Sequence, residues 1–298
     1  MGYKKDLLIL PFDHRGSLLK KLFGVEGREP TSEEAEKYAD LKHMVYEGFL
    51  QSLEMGVPKE KTAVLVDAQF GEKIISDAKK RKIMVAMPVE KSGQEEFDFD
   101  EQDFRGHIKR VDPDFVKVLV RFNPEEKGDL NTRQLKRLRQ VSDFSREIGK
   151  KFIFELLVPP LPKQLATLGD TYDLELRPKL MVKAIRQIQD AGVEPDVWKL
   201  EGVSKKDDSQ ALVAQCHAKG RTSGIITLGR GEDANKVKEW LKVGAKINGI
   251  IGFAVGRTIF WEPMKNLNSK KISRKEAINQ VANNYKQLVD LWESERSK

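Results

Sequence analysis

The chain has 298 residues, of which 39% are hydrophobic and 33% are charged, and its formal net charge at pH 7 is +7. This composition excludes a disordered chain and is typical of a globular protein with a large core. No apolar run approaches the roughly 18 residues of a membrane span, and the N-terminus has no signal-peptide pattern. We therefore expect a cytoplasmic protein, and its single cysteine, Cys216, agrees with a reducing compartment.

The positive charge suits either an anionic small molecule or a nucleic acid. The basic residues alternate with acidic residues along helix-like segments, and they do not cluster with aromatic residues as they would on a nucleic-acid-binding surface. We therefore expect a small anionic ligand such as a sugar phosphate, with no nucleic-acid partner and no membrane partner.

Short segments rich in β-forming residues recur eight times along the chain. They lie at 7–12, 62–67, 82–87, 115–122, 151–158, 196–200, 222–228 and 248–253. Amphipathic segments that favour helices include 32–55, 132–148, 177–191, 209–219, 233–243 and 274–293. Alternation of strands with helices favours parallel pairing, and eight such units close into a (β/α)8 barrel. We predict an α/β fold with one TIM-barrel domain over 1–298.

A doubly wound open sheet is the alternative arrangement of the same elements. It is disfavoured because no Gly-x-Gly-x-x-Gly motif follows the first predicted strand, where a dinucleotide-binding fold would have one. A single barrel accounts for the whole length of the chain.

Lys199 lies in a short segment between Pro195 and Gly202 that is predicted to be a buried strand. Burial disfavours the charged form of a lysine, and this is one way in which a protein makes an amine nucleophilic. A structural ion pair with a buried carboxylate is the alternative. The other residues near Lys199 are needed to distinguish imine chemistry from a structural role.

Polar residues lie in or after most of the predicted strands, at the end of the barrel where active sites are found. The candidate catalytic residues are Asp13, Lys117, Glu155 and Lys199. The candidate substrate-binding residues are Arg15, Asp67, Gln69, Glu90, Arg121 and Glu201. Strand alternation places Lys117 with Arg121 on one face, and Lys199 with Glu201 on one face. If these faces line the lumen, amines and carboxylates meet in a confined space.

Each of these candidates has a structural alternative. Asp13 and Asp67 can cap the helices that follow them, and His14 can be an ordinary loop histidine. Glu155 lies in a strongly apolar segment and needs a cation, which Lys117 or Lys199 can supply. Two neighbouring lysines would also lower each other's pKa by repulsion.

A metal-dependent enzyme is a further alternative. It would use Asp13, His14, Asp67 and Glu90 as ligands. The absence of clustered histidines in the sequence counts against this alternative, and we expect neither a metal nor a cofactor.

Glycine and arginine occur together after each of the last two predicted strands. Loops at these positions of a barrel often bind phosphate, because glycine allows backbone N–H groups to approach the ligand and arginine adds a bidentate charge. We predict phosphate binding by Gly229, Arg230, Gly256 and Arg257.

Several segments together resemble a known family. These are Phe-Asp-His-Arg-Gly at 12–16, Phe-Glu-Leu-Leu-Val-Pro-Pro at 154–160, Asp-Val-Trp-Lys-Leu-Glu-Gly at 196–202 and Val-Gly-Arg-Thr-Ile-Phe-Trp-Glu-Pro at 255–263. They resemble the aldolase-like domain that is fused to 5-dehydro-2-deoxygluconokinase in bacterial inositol catabolism. Glu-Lys-Ser-Gly at 90–93 and Phe-Val-Lys-Val-Leu at 115–119 are similar, more distantly, to class I tagatose-bisphosphate aldolases.

The resemblance implies a metal-independent class I aldolase. Its reaction would be the cleavage of 2-deoxy-5-keto-gluconate 6-phosphate to dihydroxyacetone phosphate and malonate semialdehyde. Lys199 matches the imine-forming lysine, Lys117 and Glu155 match the accessory lysine and carboxylate, and Arg257 matches a phosphate-binding position. We expect Glu155 to shuttle protons, with Glu90 and Asp13 as alternatives for the substrate hydroxyl, while Lys117 holds Glu155 and lowers the pKa of the neighbouring amine.

The sequence departs from the distant relatives at two positions. Gln69 replaces a carboxylate, and Arg121 lies near a position where an aromatic residue is frequent. An added arginine suits a substrate carboxylate, which Arg15 or Arg121 would bind. Tagatose 1,6-bisphosphate is the alternative substrate, and a non-catalytic sugar-phosphate-binding barrel is the alternative function. Barrels of this type often associate, so a homo-oligomer is possible.

Overall fold

The computed structural model describes residues 2–231 and 233–298. Within them, eight parallel strands close into a barrel in sequence order. They are β1 (Leu7–Pro11), β2 (Thr62–Leu65), β3 (Met84–Pro88), β4 (Phe115–Arg121), β5 (Lys151–Leu157), β6 (Val197–Glu201), β7 (Gly224–Leu228) and β8 (Ile250–Ala254). The predicted (β/α)8 barrel is therefore confirmed, and no predicted strand boundary is displaced by more than two residues.

Twelve α-helices occur in the described part of the chain. They are α1 (Gly16–Phe23), α2 (Ser32–Glu54), α3 (Ala68–Lys80), α4 (Phe104–Val111), α5 (Leu130–Glu147), α6 (Pro162–Leu168), α7 (Tyr172–Glu175), α8 (Arg177–Asp190), α9 (Lys206–Cys216), α10 (Ala234–Ala245), α11 (Arg257–Asn268) and α12 (Arg274–Arg296). The six predicted helices correspond to α2, α5, α8, α9, α10 and α12. None of the helices in these residues is both long enough and apolar enough to cross a membrane.

The strands separate two apolar layers because successive side chains point to opposite faces. One layer fills the lumen and consists of Leu7, Ile9, Ala63, Leu65, Ala86, Phe115, Ile153, Val197, Ile226, Ile251 and Ala254. The larger layer lies between the strands and the surrounding helices. The inner layer forms a packed floor, and the inward positions nearer the carboxyl ends of the strands lie above it.

The last helix, α12, packs against elements from the first part of the chain. Capping boxes begin both α2, at Thr31, and α12, at Ser273, so the backbone N–H groups of each first turn have partners. The two helices pack closely where Gly48 of α2 faces Val281 of α12. The buried hydroxyl of Tyr285 donates a 2.7 Å hydrogen bond to the carbonyl of Leu8 in β1. The helix α12 is therefore bound directly to the barrel wall.

We expect the variant Tyr285→Phe to lower the free energy of unfolding by about 1 kcal/mol, because a buried carbonyl loses a hydrogen-bond partner. Urea unfolding followed by circular dichroism measures this change. Gln287→Ala, at an exposed position of the same helix, is the control and should change the free energy by less than about 0.5 kcal/mol. Equal losses in both variants would contradict a stabilising role for the hydroxyl.

Candidate active site

A cavity of about 320 Å³ lies at the carboxyl ends of the strands. Eleven of the fourteen predicted site residues line it. These are Asp13, Arg15, Glu90, Lys117, Arg121, Glu155, Lys199, Gly229, Arg230, Gly256 and Arg257. The carboxyl end of the barrel thus brings together residues that are more than 240 positions apart in sequence.

The ammonium group of Lys117 is the centre of this cavity's charge cluster. Its Nζ lies 2.9 Å from Asp13 Oδ2, 2.6 Å from Glu90 Oε1 and 3.0 Å from Glu155 Oε2. Lys117 is only 1% exposed. Three carboxylates from three different segments therefore meet at one buried nitrogen.

Lys199 forms the other ion pair of the cluster. Its Nζ lies 2.8 Å from Glu155 Oε2, the same oxygen that contacts Lys117. The strand register explains this contact, because Glu155 of β5 pairs directly with Lys199 of β6. Lys117 of β4 pairs with Ile153, so it lies diagonally across from Glu155. Glu155 is held between two ammonium groups.

The charge of Lys117 is firmly maintained. Burial opposes its charge, but the carboxylates of Asp13, Glu155 and Glu90 outweigh burial and raise the pKa of Lys117 well above its usual range. The expectation that the two lysines lower each other's pKa is therefore wrong for Lys117. Lys117 acts as a fixed cation that favours the ionised forms of Asp13 and Glu155.

The three carboxyl groups differ in their proton affinity. Burial raises the pKa of each group, but Lys117 and Lys199 lower the pKa values of Asp13 and Glu155 below their usual ranges. Burial dominates at Glu90, whose pKa is raised although Lys117 and Arg15 oppose the increase. Glu90 is therefore the strongest base of the three.

His14 lines the cavity next to this cluster. Burial, assisted by the positive charges of Arg257 and Lys199, lowers the pKa of His14 to about 4, against the opposing effect of Asp13. Its Nδ1 is buried and has no hydrogen-bond partner among the described residues. His14 is a neutral imidazole at pH 7, with a nitrogen available to a ligand.

Two arginines lie together at the side of the cavity formed after β7 and β8. Arg230 pairs with Asp173 at 2.6 Å and lies 3.4 Å from Glu201. Arg257, the first residue of α11, donates a 2.7 Å hydrogen bond to the carbonyl of Arg230. Gly231 has a φ of +82°, which favours glycine, and a Cβ atom there would overlap the guanidinium of Arg257. Together with the N-terminus of α11, the two arginines form a positively charged corner, here called the arginine corner, which suits an anion.

The two arginines on the other side of the cavity differ in their partners. Arg15 is engaged by Asp100, at 2.6 Å, and by the backbone carbonyl of Glu90. Arg121 donates a 2.7 Å hydrogen bond to the carbonyl of Gln94, and no described carboxylate forms an ion pair with it. Arg15 and Arg121 are the two residues expected to bind a distant substrate carboxylate. Of the two, Arg121 is the one whose charge is not paired with a described carboxylate.

Three predicted substrate-binding residues do not line the cavity. Asp67 caps α3 through Phe70 and forms a buried ion pair with Lys42. Gln69 is exposed in the first turn of α3 and lines a neighbouring cavity. Glu201 accepts a 3.0 Å hydrogen bond from the backbone N–H of Val158. Asp67 thus has the contacts of a helix cap, and Glu201 lies beside Arg230.

The sequence matches, over residues 2–296, the family described as an uncharacterized protein conserved in bacteria, DUF2090. The chain belongs to this family. A comparison with curated proteins gives no match.

Two solved structures resemble the barrel as a whole. One is a structural-genomics protein from Corynebacterium glutamicum, with 16% sequence identity and a TM-score of 0.56 over 95% of this chain and 86% of that chain. The other is a fructose-bisphosphate aldolase from Slackia heliotrinireducens, with 13% identity and a TM-score of 0.55 over 93% of this chain and 85% of that chain. At these identities the likeness establishes the fold.

The cavity also contains polar residues that were not predicted from the sequence. These are Ser17, Lys91, Ser92, Gln94 and Thr258. Ser92 and Gln94 belong to the loop after β3, and Gln94 Oε1 is buried without a hydrogen-bond partner among the described residues. Their position just after a strand end was the available indication, but serine and glutamine are too common in loops for that position to single them out.

No cluster of three or more histidine, cysteine, aspartate or glutamate side chains within 2–231 and 233–298 has the arrangement of a metal site. The carboxylates of Asp13, Glu90 and Glu155 converge on the Lys117 ammonium.

Lys117→Met should lower the free energy of unfolding by about 3–5 kcal/mol at pH 7, because buried carboxylates lose their cation. In the wild-type protein the lowered pKa values of Asp13 and Glu155 stabilise the fold above about pH 4, and this contribution is lost as pH falls through those folded-state values. In the variant, burial without the cation raises the pKa values of these carboxyl groups, so they bind protons as the pH falls from 7 to 4 and the deficit should shrink. Urea unfolding at pH 7 and pH 4 measures it.

Lys199→Met is the matched control for this experiment. It removes an ammonium group with one carboxylate partner where Lys117 has three. We expect a smaller loss of stability. A deficit of the Lys117 variant that is independent of pH would show that lost packing, and not lost charge, destabilises it.

Proposed function

We propose that the chain is a class I aldolase that cleaves a ketose phosphate through an imine on Lys199. The observation that carries this proposal is the contact of the buried Lys199 amine with Glu155, beside a second lysine whose charge is fixed. Lys199 is 4% exposed and lines the cavity, so a ligand in the cavity meets its nitrogen. The aldolase-like fold supports the same reaction class.

Glu155 is suited to move protons at the Lys199 nitrogen. Its Oε2 lies 2.8 Å from that nitrogen, within the distance needed for direct transfer. Loss of a proton to Glu155 frees the amine for attack on the substrate ketone, and the same carboxyl returns a proton when the carbinolamine loses water. The resulting iminium accepts the electron pair of the breaking carbon–carbon bond. Lys117 keeps Glu155 ionised before each cycle.

The two sides of the cavity favour a substrate with an anionic group at each end. Gly229, Arg230, Gly256 and Arg257 offer a phosphate site on the β7 and β8 side. Arg121 extends from β4, opposite β8 in the barrel, and suits the second anion. The substrate that we infer is 2-deoxy-5-keto-gluconate 6-phosphate, which carries a phosphate and a carboxylate. Cleavage between C3 and C4 yields dihydroxyacetone phosphate and malonate semialdehyde.

A ketose bisphosphate is the second candidate substrate. Tagatose 1,6-bisphosphate and fructose 1,6-bisphosphate also have an anion at each end, and a structural neighbour is named a fructose-bisphosphate aldolase. The resemblance to an inositol-catabolic domain and the additional arginine at position 121 favour the carboxylate-bearing ketose.

Borohydride reduction in the presence of dihydroxyacetone phosphate should trap a covalent adduct on Lys199. Intact-mass measurement and peptide mapping identify the modified residue. Lys199→Ala should give no adduct and no cleavage of any of the three ketose phosphates, while a chelator should leave the wild-type rate unchanged. Wild-type turnover that survives the loss of Lys199, or that stops with chelator, would overturn the imine mechanism.

Arg121→Gln should lower kcat/KM for 2-deoxy-5-keto-gluconate 6-phosphate by about 10- to 100-fold, because a charge-assisted hydrogen bond to the second anion is lost. Fructose 1-phosphate has no second anion, so its kcat/KM should change little. Arg257→Gln is the matched variant at the phosphate side and should impair both compounds. Equal losses for both compounds in the Arg121 variant would exclude a second anion site at Arg121.

A further inference from the structure

Glu90 is held rigidly at the edge of the cavity. It follows β3, where its backbone pairs with Phe99 and its carbonyl accepts a hydrogen bond from Arg15. Its side-chain Oε1 accepts a 2.6 Å hydrogen bond from Lys117. The other oxygen, Oε2, is buried and has no hydrogen-bond partner among the described residues. One oxygen is thus anchored, and the other has an unused hydrogen-bonding capacity in a residue that lines the cavity.

Building on the proposed imine mechanism, we propose that Glu90 is the catalytic base that removes the proton from the substrate hydroxyl during carbon–carbon cleavage. Glu155 then serves only the Lys199 nitrogen. Glu90 and Glu155, which both contact the Lys117 ammonium group, therefore perform different proton transfers of the same reaction.

Glu155 is poorly placed to perform both transfers. Its Oε2 is shared between the nitrogens of Lys117 and Lys199. A substrate joined to Lys199 as an imine at C5 presents its reacting hydroxyl on C3, the third carbon from that nitrogen. Glu90 approaches the same cavity from β3, on the far side of Lys117 from β5, and can reach a different atom of the substrate.

Asp13 is the remaining competitor, and its charge environment makes it a weak base. Burial raises its pKa, but Lys117, Lys199 and His14 lower it well below the usual range of an aspartate. A general base is most effective when its pKa lies near the working pH. Asp13 is therefore better suited to holding Lys117 than to accepting a proton.

The cleavage step balances with Glu90 as the only proton acceptor. The hydroxyl on C3 gives its proton to Oε2, and its O–H electron pair forms the new aldehyde C=O bond. The C3–C4 bond breaks, its electron pair forms the C4=C5 bond, and the C5=N pair moves onto the Lys199 nitrogen. The products of this step are the aldehyde, an enamine and a protonated Glu90, so no oxidant or reductant is needed.

The charged groups facing Glu90 determine its pH dependence. Burial raises its pKa, Lys117 of β4 and Arg15 after β1 oppose the increase, and Asp13 adds to it. Glu155 of β5 acts on Glu90 through Lys117. The base must be ionised before it accepts the proton. The cleavage rate should therefore rise as pH rises through the pKa of Glu90, which gives an acid limb in the pH profile.

Glu90→Gln tests the assignment with little change in shape. We expect kcat for 2-deoxy-5-keto-gluconate 6-phosphate to fall about 10²- to 10⁴-fold, which is the usual contribution of a general base. The acid limb of the pH profile of kcat/KM should disappear. Borohydride trapping with dihydroxyacetone phosphate should still place an adduct on Lys199, because that step uses Glu155.

Asp13→Asn is the matched control, since it removes the same charge from the same Lys117 nitrogen. It should retain the acid limb, whatever its effect on the rate. Glu90→Asp preserves a carboxyl group, so it should show an acid limb at a reduced rate. It tests the role of the carboxyl group even if the Gln variant does not fold.

Two results would overturn the assignment of Glu90. One is an unchanged acid limb and rate in the Glu90→Gln variant. The other is loss of the trapped adduct in the same variant, because that would place Glu90 in imine formation. Failure of the proposed function gives a different result, since the wild-type protein itself would then form no adduct on Lys199.

Discussion

The cavity depends on the ion pairs between the Lys117 ammonium group and the carboxylates of Asp13, Glu90 and Glu155. A buried ammonium group without partners would be strongly destabilising, and three converging carboxylates without a cation would repel one another. Each group makes the burial of the others tolerable. Because the carboxylates follow or belong to β1, β3 and β5 while the lysine belongs to β4, the cluster also ties together one half of the barrel's carboxyl end.

The same cluster gives similar side chains different chemical properties. Glu155 contacts two ammonium groups and has a lowered pKa, whereas Glu90 contacts one and has a raised pKa because burial dominates. The balance between burial and the neighbouring charges therefore separates a carboxylate suited to an amine from one suited to a hydroxyl. This separation needs no difference in side-chain chemistry, because both residues are glutamates.

The arginine corner after β7 and β8 depends on supporting residues that need not touch a ligand. Asp173 and Glu201 hold the guanidinium of Arg230, and Arg230 in turn accepts a hydrogen bond from Arg257 through its carbonyl. Because Gly231 has no Cβ atom, the guanidinium of Arg257 has room beside it to make this hydrogen bond. A ligand phosphate would therefore meet arginines whose rotamers are already restrained, which reduces the entropy lost on binding.

The sequence by itself determined the barrel and the lysines and glutamate of its lumen. Eight β-rich segments alternating with helical ones dictate parallel pairing, and strand alternation places Lys117, Glu155 and Lys199 on inward faces because the period of a strand is two residues. Only the tertiary structure decided which charges meet. Arg15 is engaged by Asp100, Asp67 by Lys42, and Lys117 by three carboxylates from distant segments, because contacts across a closed barrel follow from its stagger and loop paths.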